Sequence, residues 1–245
     1  MKIIGVIPAR YSSKRFPGKP LAKIKGKYLI QRVFEQVKKC KALDKVIIAT
    51  DDKRIAKAAE NFGACAVMTS KSCKSGTDRI AEIARKLKNN SDIIINIQGD
   101  EPLISPSLID DLARVLVKNP KINMATAAYP LKDVSQIKNS NINKVVFDKN
   151  NYALYFSHFS LPYNRDNTKV NYFKHIGIYA YRRGFILKFA SWKQTPLEKA
   201  ENLEQLRALE NGEKIKVVIS KNDSFGVDTP KDAREIEKML RNKNA

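Results

Sequence analysis

Four cationic side chains, Arg10, Lys14, Arg15 and Lys19, fall within ten residues in the run Pro8-Ala9-Arg10-Tyr11-Ser12-Ser13-Lys14-Arg15-Phe16-Pro17-Gly18-Lys19-Pro20-Leu21. The run follows Ile3–Ile7, an apolar stretch that reads as a first core strand. Loops at the carboxyl ends of parallel strands are where α/β sheets bind ligands. Clustered cations, with a glycine that lets the backbone come close, suit a triphosphate. Composition alone fits an incidental basic surface loop equally well. Two familiar phosphate cradles are excluded. Gly18-Lys19 lacks the earlier glycine and the following Ser/Thr of a P-loop, and Gly5 stands alone without a G-x-G-x-x-G pattern.

Carboxylates recur at comparable places. Asn96-Ile97-Gln98-Gly99-Asp100-Glu101-Pro102 comes just after another apolar strand, so Asp100 falls at the same sheet edge as the basic loop. A carboxylate beside a polyphosphate is a candidate ligand for Mg²⁺, which takes one or two carboxylates plus phosphate oxygens. An acidic turn residue is the plainer alternative. Glu101 can serve the turn, which favours Asp100 as the ligand. Asp228, in Gly226-Val227-Asp228-Thr229-Pro230, either precedes a helix cap or joins Asp100 at one metal–phosphate site.

The elements that must carry these residues alternate. Short β-branched runs at Ile3–Ile7, Val46–Ala49, Ala64–Met68 and Ile93–Ile97 are separated by helical patterns at Ile30–Lys41, Arg54–Phe62 and Arg79–Leu87. Near-continuous apolar strands between helices predict a mostly parallel sheet covered on both faces, with right-handed crossovers. Ser105-Pro106 and Thr229-Pro230-Lys231-Asp232 read as helix starts. Leucines 197, 203, 206 and 209 predict one amphipathic helix over 197–209. From about 124 to 183 the pattern changes to antiparallel strands and loops. The chain therefore reads as a single α/β domain, 1–245, carrying an inserted dimerisation or lid segment.

Charge and composition narrow the function further. The 46 basic and 25 acidic residues leave a net charge of +21, but the lysines are spread along the whole chain. Without a helix-turn-helix, finger or RNP pattern, no nucleic-acid partner is expected, and the charge reads as a solvated surface that also favours anionic substrates. No apolar run is long enough to span a bilayer, and the N-terminal one is too short for a signal peptide. Three cysteines (Cys40, Cys65, Cys73) without paired spacing argue against disulfides and zinc and fit a reducing cytoplasm. With only His158 and His175, few His-based catalytic arrangements remain possible.

The basic loop, the Gln-Gly-Asp-Glu-Pro turn and the Gly-Val-Asp-Thr-Pro turn occur with Thr50-Asp51-Asp52, Ser75-Gly76-Thr77-Asp78-Arg79, His175-Ile176-Gly177-Ile178-Tyr179 and Leu203-Glu204-Gln205-Leu206-Arg207. In that order, over essentially the whole chain, they resemble the 3-deoxy-manno-octulosonate cytidylyltransferase (CMP-Kdo synthetase) family. The resemblance implies a GT-A-like nucleotidyltransferase fold and a homodimer that transfers CMP from CTP to Kdo, with Mg²⁺, for lipopolysaccharide biosynthesis. It further implies that Pro8, Ala9, Arg10, Arg15, Lys19, Ser75, Gly76, Arg79 and Gln98 bind the nucleotide. By the same resemblance Asp100 and Asp228 carry the metal and, with Lys19, the chemistry. Arg165, His175, Tyr179, Glu204 and Gln205 meet the sugar acid.

One departure bears on the acceptor. Family members commonly carry Ser-Arg before the aromatic-Pro stretch, where this chain reads Phe156-Ser157-His158-Phe159-Ser160-Leu161-Pro162. His158 leaves two readings open: neutral drift, or a related acceptor such as an 8-amino analogue of Kdo. A glycosyltransferase of similar fold fits less well, because Asp51-Asp52 and Asp100-Glu101 do not match an Asp-x-Asp motif.

Overall fold

Every residue of Ile93–Asn96 is buried, the pattern of a strand covered on both faces. The structure, a computed structural model, describes residues 1–12, 15–73, 75–87, 92–166 and 168–242, so Lys14 of the basic run lies outside the described residues. In chain order the strands are β1 (Ile3–Ala9), β2 (Lys23–Ile24), β3 (Lys27–Tyr28), β4 (Lys45–Thr50), β5 (Cys65–Met68), β6 (Ile93–Asn96), β7 (Met124–Leu131), β8 (Lys144–Phe147), β9 (Ala153–Ser157), β10 (Tyr172–Arg182) and β11 (Ile215–Ile219). The helices are α1 (Leu29–Val37), α2 (Lys53–Asn61), α3 (Gly76–Arg85), α4 (Pro106–Lys118), α5 (Val134–Lys138), α6 (Arg183–Ser191), α7 (Pro196–Glu201), α8 (Leu206–Glu210) and α9 (Pro230–Asn242).

The main sheet runs β11-β7-β10-β6-β1-β4-β5, with β8 and β9 branching from β10. Side chains alternate across it. In β1, Ile4 and Val6 join one core with helices α3, α6 and α8, whereas Ile7 and Ala9 join the opposite core with α1, α2 and α4. Helix α1 shows why these segments are helices: Leu29, Ile30, Val33, Phe34 and Val37 form one buried stripe at helical spacing.

Strand direction sets where the loops gather. Strands β4 and β6 are parallel to β1, and β11 is parallel to β7. Only β10 runs against its two main-sheet neighbours, β6 and β7. The carboxyl ends of β1, β6 and β11 therefore share one edge, and the first half of β10 comes to that same edge. The parallel, helix-flanked sheet agrees with the sequence reading. The segment 124–183 is not set apart from it, because β7 and β10 are strands of the main sheet itself.

Two local expectations are corrected. The predicted single helix over 197–209 is two, α7 and α8, broken at Asn202, whose left-handed backbone (φ 53°) an α-helix cannot continue through. Ser105 precedes α4 but makes no side-chain cap; its hydroxyl pairs with that of Ser107 at 2.9 Å. The start of α9 is capped as expected: Thr229 N donates to Asp232 Oδ2 (2.7 Å), and Asp232 N donates to Thr229 Oγ1 (3.3 Å).

Candidate active site

A cleft of about 1080 Å³ opens at the shared edge. The cationic loop forms one wall. Gly18 adopts φ 70°, and its amide donates to Tyr11 O at 2.9 Å, which turns the chain into the short 3₁₀ turn Lys19–Leu21. Tyr11 is itself held by Arg54, whose guanidinium carbon stacks 3.4 Å from the ring centroid. Arg54 in turn grips Asp52, the cap of α2. Pro8, Ala9, Arg10, Arg15 and Lys19 all line the cleft.

Lys19 carries the main electrostatic contact. Its Nζ donates to Asp100 Oδ2 at 2.6 Å and to Asp228 Oδ1 at 3.3 Å, while Arg15 Nη2 reaches the same Asp228 oxygen at 3.1 Å. One compact cation thus touches two carboxylates from loops far apart in the chain. Val227 N donates to Asp100 O at 2.9 Å, tying their loops together directly. No group of three or more His, Cys, Asp or Glu suited to a metal occurs among the described residues. Two carboxylates already sharing one cation match Mg²⁺, which takes its remaining ligands from phosphate and water. The donor set fits that ion.

The opposite wall is the start of α3. Ser75 caps it in a reciprocal box with Asp78, so both side chains are fixed by the helix that they begin. Gly76 and Arg79 follow into the cleft. Arg79 is buried but paired, Nη2 lying 3.0 Å from Asp51 Oδ2 and Nη1 bonding to Thr69 Oγ1. Between the walls, Gln98 Nε2 donates to Gly177 O at 2.7 Å. A Cβ on Gly99 would lie 2.6 Å from Pro8 O, so the floor needs glycine for close backbone approach.

Ser12, Pro17, Pro20, Cys73 and Gly99 also line the cleft and were not singled out as site residues. Gly99 sits inside the quoted turn and could have been found there. Cys73 carries no signal in the sequence; burial pushes its thiol pKa up.

The residues expected at the sugar acid do not line this cleft. His175 and Tyr179 do share a face of β10, with ring centroids 5.5 Å apart. The register against β7 slips by two residues at Gly177-Ile178, an even number that preserves the alternation. His175 is buried, which pushes its pKa down to about 3, and its Nε2 lies 2.9 Å from Thr126 Oγ1. Because that hydroxyl donates to Ile178 O (2.8 Å), the imidazole is assigned as its Nε2–H donor. Glu204 borders the α3 wall: its carboxylate accepts from Ser75 Oγ (3.3 Å) and Thr77 Oγ1 (2.5 Å). Burial raises its pKa, opposed by the Thr77 hydroxyl and Arg207. Gln205 is buried, with Nε2 lacking a partner among the described residues. Arg165 is exposed in the loop before β10. His158 Nδ1 lies 2.6 Å from Ser140 O, also outside the cleft lining. Glu101 turns from the cleft to accept from Ser224 Oγ, and burial pushes its carboxyl up to about 7.

A sequence model of the cytidylyltransferase family matches residues 4–215. The chain is 48% identical to 3-deoxy-manno-octulosonate cytidylyltransferase of Fusobacterium nucleatum subsp. nucleatum over 244 residues, covering 100% of this chain and 99% of that protein. It is 50% identical to the enzyme of the same name from Thermodesulfovibrio yellowstonii, covering 98% of both. The chain belongs to the 3-deoxy-manno-octulosonate cytidylyltransferase family. It is accordingly a nucleotidyltransferase, as the sequence resemblance implied. A solved structure of CMP:2-keto-3-deoxy-manno-octonic acid synthetase complexed with CTP superposes with a TM-score of 0.95 at 37% identity, covering 99% of this chain and 100% of that one. The fold extends beyond the family: 4-diphosphocytidyl-2C-methyl-D-erythritol synthase of Anaerococcus prevotii is 17% identical and reaches a TM-score of 0.64, covering 98% of this chain and 96% of that one. No described helix is long and apolar enough to cross a membrane.

Proposed function

We propose that this chain transfers CMP from CTP to the anomeric hydroxyl of 3-deoxy-D-manno-octulosonate, releasing pyrophosphate. The observation that carries the reading is Lys19 shared between Asp100 and Asp228 in a cleft walled by the cationic loop and the start of α3. Such a transfer depends on positioning and charge neutralisation rather than on a protein nucleophile. Arg10, Arg15 and Lys19 hold the triphosphate and offset the charge that builds on the leaving pyrophosphate. Ser75, Gly76, Arg79 and Gln98 hold the cytidine end, with Pro8 and Ala9 as its floor.

Asp100 and Asp228 would hold Mg²⁺, which when bound supplies charge neutralisation at the reacting phosphate. The acceptor is assigned to Arg165, His175, Tyr179, Glu204 and Gln205. The unpartnered Gln205 amide supports this, since a buried donor without a partner suits a polar ligand. Arg165 matches the sugar's carboxylate as a guanidinium fork. Exposed Leu154, Phe159 and Tyr163, all within 124–183, support a homodimer through that segment. Three free thiols suit a cytoplasmic setting.

The test is pyrophosphate release with CTP and, in turn, Kdo, 8-amino-Kdo and sialic acid. Highest turnover with Kdo is expected. Preference for either of the others overturns the named acceptor, and no release with any of them overturns the reaction.

A further inference from the structure

Asp100 and Asp228 stand on separate loops, and side chains outside the cleft lining join those loops. Ser224 is buried, and its hydroxyl donates to Glu101 Oε2, one residue beyond Asp100. Lys174, on β10, donates to Asp223 Oδ1 at 2.9 Å and to Ser224 O at 2.7 Å. Asp223 Oδ1 also accepts from Ser224 N at 2.7 Å, so the turn at 223–224 is fixed from both sides. The segment carrying Asp228 is thereby pinned to the sheet through Lys174 and to the Asp100 loop through Glu101.

We infer that Ser224 and Lys174 are positioning residues that set the placement of Asp228 relative to Asp100 for a shared divalent cation. Two carboxylates brought together repel each other whenever no cation lies between them. The Asp228 side chain is half-exposed; its loop is anchored beside it by buried Val227, whose amide donates to Asp100 O, and the 223–224 turn fixes the chain that leads into it. Glu101 is a second acid directly beside Asp100, a costly choice unless its carboxyl is given a fixed donor. Ser224 is that donor. Lys174 and Asp223, both largely buried, complete a network whose members hold one another in a single arrangement.

The inference rests on the metal reading above, and the test separates the two. Mn²⁺ is titrated into the full chain with CTP present, and free Mn²⁺ is read by electron paramagnetic resonance, alongside thermal unfolding. Ser224→Ala and Lys174→Met are each expected to weaken Mn²⁺ binding about 10- to 100-fold, the usual effect of losing a partner that orients a metal ligand. Ser224→Thr, which keeps the hydroxyl, is expected to restore it. Wild-type Mn²⁺ binding in Ser224→Ala and Lys174→Met overturns the inference, whether or not the melting temperature falls. Equal loss in Ser224→Thr and Ser224→Ala also overturns it, because packing rather than the hydroxyl would then be responsible. Asp100→Asn is the control: if it alone loses Mn²⁺, only the positioning role fails, and if it binds like wild type, the metal reading and this inference fall together.

Discussion

Lys19 Nζ and Asp100 Oδ2, 81 residues apart in the chain, are 2.6 Å apart in space. The same ammonium reaches Asp228 across 209 residues, so one side chain balances two acids supplied by different loops. Lys19→Met leaves those acids facing each other, with the exposed Arg15 still paired to Asp228. It is expected to lower kcat about 10²- to 10³-fold, the usual effect of removing one preorganised charge-stabilising group. Asp100→Asn is expected to keep the fold and lose turnover to a similar extent. Pyrophosphate release beside circular dichroism reads both, and near-normal kcat in Asp100→Asn contradicts the assignment.

Gly99 is a test of backbone closeness. Its missing Cβ would lie 2.6 Å from Pro8 O, an atom of the main sheet that cannot swing aside. Gly99→Ala must push the Asp100 turn away from β1, at a stability cost of about 1–3 kcal/mol. A raised KM for CTP is expected with it. Unchanged KM and melting temperature would show that the floor yields freely.

Arg207 forms a buried pair with Glu198, Nη2 to Oε1 at 2.5 Å, and also approaches Glu204 at 3.4 Å. Arg207→Met strands Glu198 in the interior and is expected to cost about 3–5 kcal/mol, as breaking a buried pair does. The double variant with Glu198→Gln should recover much of that loss. Chemical denaturation of the single and double variants measures both. Additive losses would mean that the pair does not act as a unit.

His175 gives a pH dependence of defined sign. Burial lowers its pKa from 6.5 to about 3, so the unfolded chain binds this proton first as pH falls. Stability from this group is full above the unfolded pKa of 6.5 and drains away as pH drops toward the folded value of about 3. The slope approaches about 1.4 kcal/mol per pH unit inside that window. His175→Phe should show a flatter stability profile below neutrality in urea titrations. An unchanged profile would mean that His175 does not titrate on unfolding.

Much of the architecture was legible because buried parallel strands leave a strong trace. The run Ile93–Ile97 is apolar on both faces, and the observed strand Ile93–Asn96 falls within it. The basic loop and the Asp100 turn were legible at the sheet edge because each directly follows such a strand. What sequence could not supply was pairing at a distance. Nothing near Ser224 or Lys174 announces Glu101 as a partner. The leucines of 197–209 keep their spacing, but a single left-handed residue, Asn202, redirects the chain between two of them. His175 and Tyr179 share one face as their spacing predicts, yet only the β7 register reveals the two-residue slip between them.

The reversed strand β10 also governs how this chain must be made. Strand β6 has β1 on one side, but its other neighbour is not synthesised until residues 179–182 emerge. Until then Ile93-Ile94-Ile95 presents an unsatisfied backbone edge, flanked by side chains destined for the interior. Bare apolar edges of this kind template pairing with other chains. A fragment ending after α4 should therefore self-associate rather than persist as an independent half, and the late, non-local insertion of β10 slows folding of the sheet.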